Sequence, residues 1–243
     1  KNIKKIFSIY LLADDPVLNS ADGYIFLSFY SFKKYKLTNK LHLDGAIYPN
    51  IKNYNLKKNS KKNHKTIFFY SGSMHKWGGV KLLIETMKYI KRNDFELWIS
   101  GPGDSKFVQN AAKIDNRIKF LGLLTDYQLK NLYQKTDVFL NPRPIKMPGN
   151  EFNFPSKLFD YLAWNKPIIS TFTKSLSPEY KNILHIIKDN PKAFAKAMTM
   201  FIIKKKIKQK IDPLFLKNKS WKNQAQRLIF FINKIIKKKI KNK

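Results

Sequence analysis

Residues 138–170 read VFLNPRPIKMPGNEFNFPSKLFDYLAWNKPIIS. A β-type run at Val138–Asn141 is followed by a loop broken by prolines and a glycine, a helical stretch at Ser156–Ala163 and a second β-type run at Pro167–Thr171. Strand, helix and parallel strand is the repeating unit of an α/β sheet. The same alternation runs back toward the N-terminus, with strands expected at Thr66–Tyr70, Phe95–Ser100 and Ile118–Leu121. Helices are expected at Val80–Lys91, Ser105–Ile114 and Asp126–Lys135. Thr125 with Gln128 forms a capping-box pattern, and Asn190 before Pro191 suits the start of a further helix. The pattern predicts an α/β fold, a parallel sheet with helices on both faces.

Chemistry concentrates at the ends of these strands. Thr66–Tyr70 runs into Ser71-Gly72-Ser73 and then His75-Lys76-Trp77-Gly78-Gly79, and Phe95–Ser100 runs into Gly101-Pro102-Gly103. Small residues at such turns let backbone N–H groups approach an anion beside a helix N-terminus. The alternative is a pair of plain βα turns that use glycine for tight geometry. Two glycine turns at successive strand ends favour a ligand, because open α/β sheets bind beyond the carboxyl ends of their strands. Ser156 and Lys157 place a hydroxyl and an ammonium in the first turn of their helix, a combination suited to a diphosphate. Asp160, one turn on, suits ribose hydroxyls; taken alone, Lys157 and Asp160 are also an ordinary i, i+3 ion pair worth about 0.2–0.5 kcal/mol. Trp77 reads as cover for the sheet edge, His75 as a turn residue, and Trp221 as packing at the head of the last helix.

The order of strand, Asn141-Pro142-Arg143, loop, Phe154-Pro155-Ser156-Lys157-Leu158-Phe159-Asp160-Tyr161-Leu162-Ala163, Lys166-Pro167 and strand resembles the donor-binding half of family 4 glycosyltransferases, especially bacterial enzymes that build surface polysaccharides. The resemblance spans roughly Thr66 to Ala197. It implies a GT-B fold of two facing Rossmann-like lobes, with this chain holding the C-terminal lobe and a shortened remnant of the N-terminal one. It also implies transfer of a sugar from a nucleotide diphosphate sugar, with retention of configuration, to a glycan or lipid-linked acceptor, with no metal and no other cofactor. Transferred residue by residue, the resemblance makes Glu151, Lys157 and Arg143 the catalytic candidates. It makes Gly72, Ser73, Lys76, Gly101, Gly103, Leu123, Pro155, Ser156, Lys157, Leu158 and Asp160 the donor-binding ones. Base recognition is expected in the loop Leu121–Leu124. The chain departs from the family's E-x7-E pair: eight residues before Asp160 stands Phe152, with Glu151 one position out of register, either reaching the sugar through a bulged loop or standing as a solvated loop carboxylate. It departs too at the first turn, where Ser73 and Gly78 occupy the places of a basic pair.

Composition narrows the field further. The chain of 243 residues has no cysteine and four histidines without metal-ligand spacing, which excludes disulfides and cysteine-built metal centres. Its net charge of +32 comes from 48 basic against 16 acidic residues, almost all lysine. Arginine forks are the usual readers of nucleic acid, and the lysines here are spread over linker, helices and tail, so a nucleic-acid partner is disfavoured. A catalytically inactive transferase-like protein or a polycationic anion binder is the alternative to an enzyme. The expected organisation is a remnant at 1–52, a polar linker at 53–65, the nucleotide-sugar lobe at 66–205 and a basic helical tail at 206–243. In the remnant, Gly23–Ser28 and Gly45–Tyr48 read as strands flanking a helix at Phe29–Tyr35. The tail spaces apolar residues helically over Ser220–Ile240. No apolar run reaches the about 20 residues a membrane span needs, and Lys1–Leu12 is too short and interrupted for a signal peptide. The expected location is cytoplasmic. The basic tail allows contact with an anionic membrane surface at the inner face of the plasma membrane, or a plain interlobe helix with its lysines in solvent.

Overall fold

A computed structural model describes residues 21–47, 65–204 and 211–241. Its main sheet is built from β3 (Thr66–Ser71), β4 (Phe95–Ser100), β5 (Ile118–Phe120), β6 (Val138–Asn141), β7 (Ile168–Ser170) and β8 (His185–Ile186), in the order β5-β4-β3-β6-β7-β8. Every pairing is parallel. A smaller parallel pair, β1 (Tyr24–Phe26) and β2 (Lys40–His42), encloses α1 (Phe29–Lys34). The central strands are apolar on both faces because each face is covered by a helical layer. Phe68 and Tyr70 of β3 point into one core with α2 (Val80–Met87), α3 (Lys106–Ile114) and α6 (Pro191–Lys204). Phe69 and Phe139 point into the other with Tyr133 of α4 (Asp126–Lys135) and Tyr161 of α5 (Lys157–Ala163).

The strand order turns back between β3 and β6, and the helices that follow these two strands, α2 and α5, pack in the cores on opposite faces of the sheet; the carboxyl ends of strands at such a switch point are where open α/β sheets hold ligands in a crevice. The predicted strands and helices of this region are all present, within a residue at most ends. The exception is α2, which stops at Met87 and not Lys91 because a distant side chain ends it. The Arg117 guanidinium donates to the carbonyls of Met87 (3.1 Å), Ile90 (2.6 Å) and Arg92 (2.8 Å), satisfying acceptors that a longer helix would have used itself. The Thr125–Gln128 capping box forms, and Asn190 Oδ1 accepts from the Ala193 N–H at 2.8 Å. The 3-10 turn Pro178–Asn182 and the helix α7 (Pro213–Asn218) start with the same cap and proline as Asn190-Pro191, in Ser177-Pro178 and Asp212-Pro213, and stand outside the expected elements; the two-residue strand β8 carries no such signal.

The front of the chain differs from expectation in one element. The partner of β1 is Lys40–His42; of the expected strand Gly45–Tyr48, Ile47 makes only an isolated bridge to Ser220, and Tyr48 lies outside the described residues. After β2 the chain turns inward to deliver Asp44, which is buried. Its carboxylate accepts from the Lys219 ammonium at 2.7 Å on both oxygens and from the Tyr180 hydroxyl at 2.7 Å. Lys219 also meets Glu179 at 2.8 Å. The last helix, α8 (Trp221–Lys241), runs back to this front piece, with Phe231 and Ile235 against Gly23. Trp221 opens α8, half-exposed, and Leu228, Phe231 and Ile235 are half-buried further along the helix. The polar stretch 53–64 and Lys1–Leu12 lie outside the described residues.

Candidate functional site

β3 ends in Tyr70 and Ser71, and both are tied down. The Tyr70 hydroxyl donates to the Ser73 carbonyl at 2.8 Å, folding the turn over the strand end. The buried Tyr161 hydroxyl of α5 accepts from the Ser71 N–H at 2.9 Å. The turn leaving β3 also lies directly on the turn leaving β6. Gly79 adopts φ +82°, and a side chain there would collide with the Pro142 carbonyl. Gly101 (φ +143°) packs equally closely on the Gly72 carbonyl. Glycine is required at both places by backbone approach as well as by φ.

That packing corrects one expectation. The Gly72 N–H donates to the Ser100 carbonyl at 2.9 Å, the Gly101 N–H to the Gly122 carbonyl at 3.0 Å, and the Met74 N–H to Pro102 at 2.8 Å. These amides join neighbouring strand ends and are not free for a phosphate. What the first turn does supply is space. Lys157, at the head of α5, extends its ammonium beneath Gly72, where a Cβ would come within 2.5 Å of Nζ. The ammonium sits 3.9 Å from the centre of the Tyr70 ring, a cation–π seat that offers no negative charge.

Lys157 has no carboxylate partner among the described residues. Burial, with the Arg143 charge adding to it, pulls its pKa from 10.5 down to about 7. Arg143 is itself partly buried, and burial lowers its pKa too, opposed by Tyr70. Its guanidinium donates to the Asn153 carbonyl, and its own carbonyl accepts from Thr171 Oγ1 at 2.5 Å. Beside it, buried Asn141 donates to Ser170 Oγ at 2.9 Å while its Oδ1 has no donor. Two cations thus share one end of the sheet with an aromatic face and a carbonyl in place of an acid. Charges held partly out of water without counter-charges are costly, and ionisable groups perturbed in this way cluster at functional sites.

The other expected site residues are spread more widely. Asp160 makes no ion pair with Lys157. It is exposed to solvent near Asp126 and Lys130 of α4; the surrounding protein and the Asp126 carboxylate hold its pKa above the ordinary range, with Lys130 opposing. Ser156 and Leu123 are exposed, the latter on the loop whose Gly122 carbonyl also accepts from Ser100 Oγ at 2.9 Å. Gly103, exposed, packs near Met74. Ser73 faces its own turn, its Oγ accepting from the His75 N–H at 3.2 Å. Lys76 is exposed on the 3-10 turn Lys76–Gly78 with its ammonium over the Trp77 ring at 5.7 Å. Pro155 and Leu158 are buried, Leu158 completely, because they lie on the inner side of the α5 start; their side chains pack the core and do not line the crevice. The Glu151 carboxylate accepts from the Gly149 N–H at 3.0 Å, and its carbonyl accepts from Ser28 Oγ at 2.5 Å, so this residue closes its own loop. Sequence reasoning missed Tyr70 and Asn150, the latter donating to the Pro144 carbonyl at 2.8 Å and the Trp77 carbonyl at 3.4 Å. The signal for Tyr70 was its place as the last aromatic before a small-residue turn.

The sequence profile of the glycosyl transferases group 1 family matches residues 65–203, the segment that carries the sheet and the crevice. No curated protein sequence matches this chain. Among solved structures, a glycosyltransferase from Rickettsia africae is similar at a TM-score of 0.66 and 17% identity, over 88% of this chain and 64% of that one. A sucrose-phosphate synthase from Thermosynechococcus elongatus gives 0.64 and 14%, over 93% and 65%. A lipopolysaccharide outer core galactosyltransferase gives 0.63 and 14%, over 90% and 62%. This chain spans less than two thirds of the length of each. At these identities the likeness is one of fold, that of a GT-B glycosyltransferase. With the profile covering more than half of its length, the chain belongs to the group 1 glycosyl transferases.

Proposed function

We propose that this chain binds a nucleotide diphosphate sugar at the β3–β6 crevice and takes part in transferring the sugar, with retention of configuration, to a glycan or lipid-linked acceptor. The pathway is surface polysaccharide or glycoconjugate synthesis, with the enzyme working at the cytoplasmic side of the plasma membrane. One observation carries this reading: the ammonium of Lys157, seated on the Tyr70 ring, lies within electrostatic reach of the Arg143 guanidinium, and no described carboxylate pairs with it. A diphosphate supplies the negative charge. As the bond from sugar to diphosphate breaks, negative charge builds on the leaving group, and fixed cations in a closed, poorly hydrated site stabilise it more than they stabilise the intact donor. The chemistry is therefore assigned to Lys157 and Arg143 and not to Glu151, whose carboxylate already has the Gly149 N–H. Asp160, one turn along the same helix, suits the ribose hydroxyls and the 121–124 loop the base. The donor is a substrate, and the reading gives no role to a metal or other cofactor.

A thermal-shift titration of the purified chain with UDP, GDP, ADP and their sugar conjugates tests this. Binding of a ligand at 100 times its Kd stabilises a protein by about 2.7 kcal/mol, so the cognate nucleotide is expected to raise the melting temperature by several degrees and the other bases by less. An equal response to every polyanion would reduce the site to a charge trap and favour an inactive polycation.

A further inference from the structure

The inward arc of α8 is Gln224, Leu228, Phe231 and Ile235, which are buried or half-buried, with Phe231 and Ile235 against Gly23 at the start of β1. At 100° per residue, Ile229, Ile232, Ile236 and Ile240 fall on one adjacent arc about 80° wide. They are 57%, 44%, 50% and 69% exposed. This is a second apolar stripe on the same helix, and none of the described residues covers it. Along the 21 residues of α8 stand six lysines and one arginine with no acid. Lys234, Lys237 and Lys241 line the flank of the stripe away from β1, while Lys239 on the other side is paired with Asp22 at 2.7 Å.

We infer that this stripe is a docking surface for an anionic lipid bilayer, on which α8 lies flat with its isoleucines among the acyl chains and its lysines at the headgroups. Both halves of the pattern are needed for that partner. Lysine stems cover apolar surface while their ammonium groups reach up to phosphate, and an amphipathic helix with a basic polar face binds by area and charge together. A second copy of the chain fits poorly, because two such helices would bring all their basic residues together with no acid to answer them. A nucleic acid has use for the lysines but none for four aligned isoleucines. The helix is about 30 Å long at 1.5 Å per residue, and no helix among the described residues is long and apolar enough to cross a membrane. The surface rests on the preceding reading only in its purpose, to hold the donor site beside a lipid-linked acceptor; its geometry stands apart from it.

The test is co-sedimentation of the full chain with vesicles of phosphatidylcholine alone and of phosphatidylcholine with phosphatidylglycerol. Binding is expected to the second and not the first. In Ile232→Gln/Ile236→Gln, which leaves every charge in place, affinity should fall at least about tenfold, with an unchanged melting curve. If that pair melts early, Ile240→Gln near the free end gives the same reading with a smaller fall. Undiminished vesicle binding by these variants, or RNA binding that the isoleucine changes weaken equally, would overturn the inference. So would an isoleucine-dependent dimer without vesicle binding. A chain that fails the nucleotide titration yet binds vesicles through Ile232 and Ile236 keeps this surface and loses the donor site.

Discussion

Lys157→Met is expected to make the nucleotide-free protein more stable and to weaken nucleoside diphosphate binding by about 2 kcal/mol or more, roughly 30-fold. The opposite signs distinguish a ligand-binding cation from a structural one. Lys157 sits on the Tyr70 ring near Arg143 with no acid, and its pKa has fallen from 10.5 to about 7. A depressed pKa means that the fold disfavours the charged form. Its contribution to stability is present above the ordinary pKa and is lost as pH falls through the folded value. The penalty therefore builds from pH 10.5 downward and is complete near pH 7. Methionine fills similar space without the charge, so its advantage in melting temperature should be largest below pH 7 and vanish toward pH 10.5. Scanning fluorimetry across that interval, with and without nucleotide, reads both effects. A variant that is less stable at every pH, or that keeps its nucleotide response, contradicts the assignment.

The second large effect lies at the junction of the front piece and α8. Lys219→Met should destabilise the protein by about 3–5 kcal/mol, because it leaves the Asp44 carboxylate buried with only the Tyr180 hydroxyl to answer it. For a chain of this size the melting temperature should drop by roughly 10 °C. Asp44 is 4% exposed and Lys219 3%, so no solvent compensates. Replacing both, as Asp44→Leu/Lys219→Met, should recover most of the loss, since a buried ion pair exchanged for apolar groups is often near neutral. Urea unfolding of the three variants decides it: a double variant as unstable as the single one would show that the pair is a net stabiliser and not merely a cost avoided. Glu179, the other acid on Lys219, has a side chain 42% exposed and should matter less.

How far the sequence carried this account depends on where each residue's partners lie. The strands β3, β4 and β6 are legible because both their faces are covered, which leaves unbroken apolar runs such as TIFFYS. β8 is two residues, His185 and Ile186, defined by its neighbour alone. The C-terminal limit of α2 was invisible because Arg117, far along the chain, provides it. The strand beside β1 was misplaced by a few residues since a βαβ unit so short has no periodicity to fix its register, and the demand of Lys219 for Asp44 draws the chain away after His42. At the site, the helix start at Lys157 was readable from FPSKLFDYLA, and Arg143 from its place at the end of β6. The use of the glycines was not. Small residues look the same whether their amides await a phosphate or are spent on the adjacent strand end, as those of Gly72 and Gly101 are. The seat that Tyr70 offers Lys157 is likewise a tertiary fact.

The most direct test of the Lys157–Arg143 anion site is the proton count on binding. Calorimetric titration with the cognate nucleoside diphosphate is done in two buffers of different ionisation enthalpy, at a pH about one unit above the pKa of about 7 held by unliganded Lys157. Most of the free protein then carries a neutral amine, and a diphosphate beside it restores the ordinary ammonium. The predicted result is uptake of close to one proton per nucleotide, absent in Lys157→Met. Binding with no proton uptake, or with the same uptake in the variant, would place the diphosphate elsewhere and contradict the site described here.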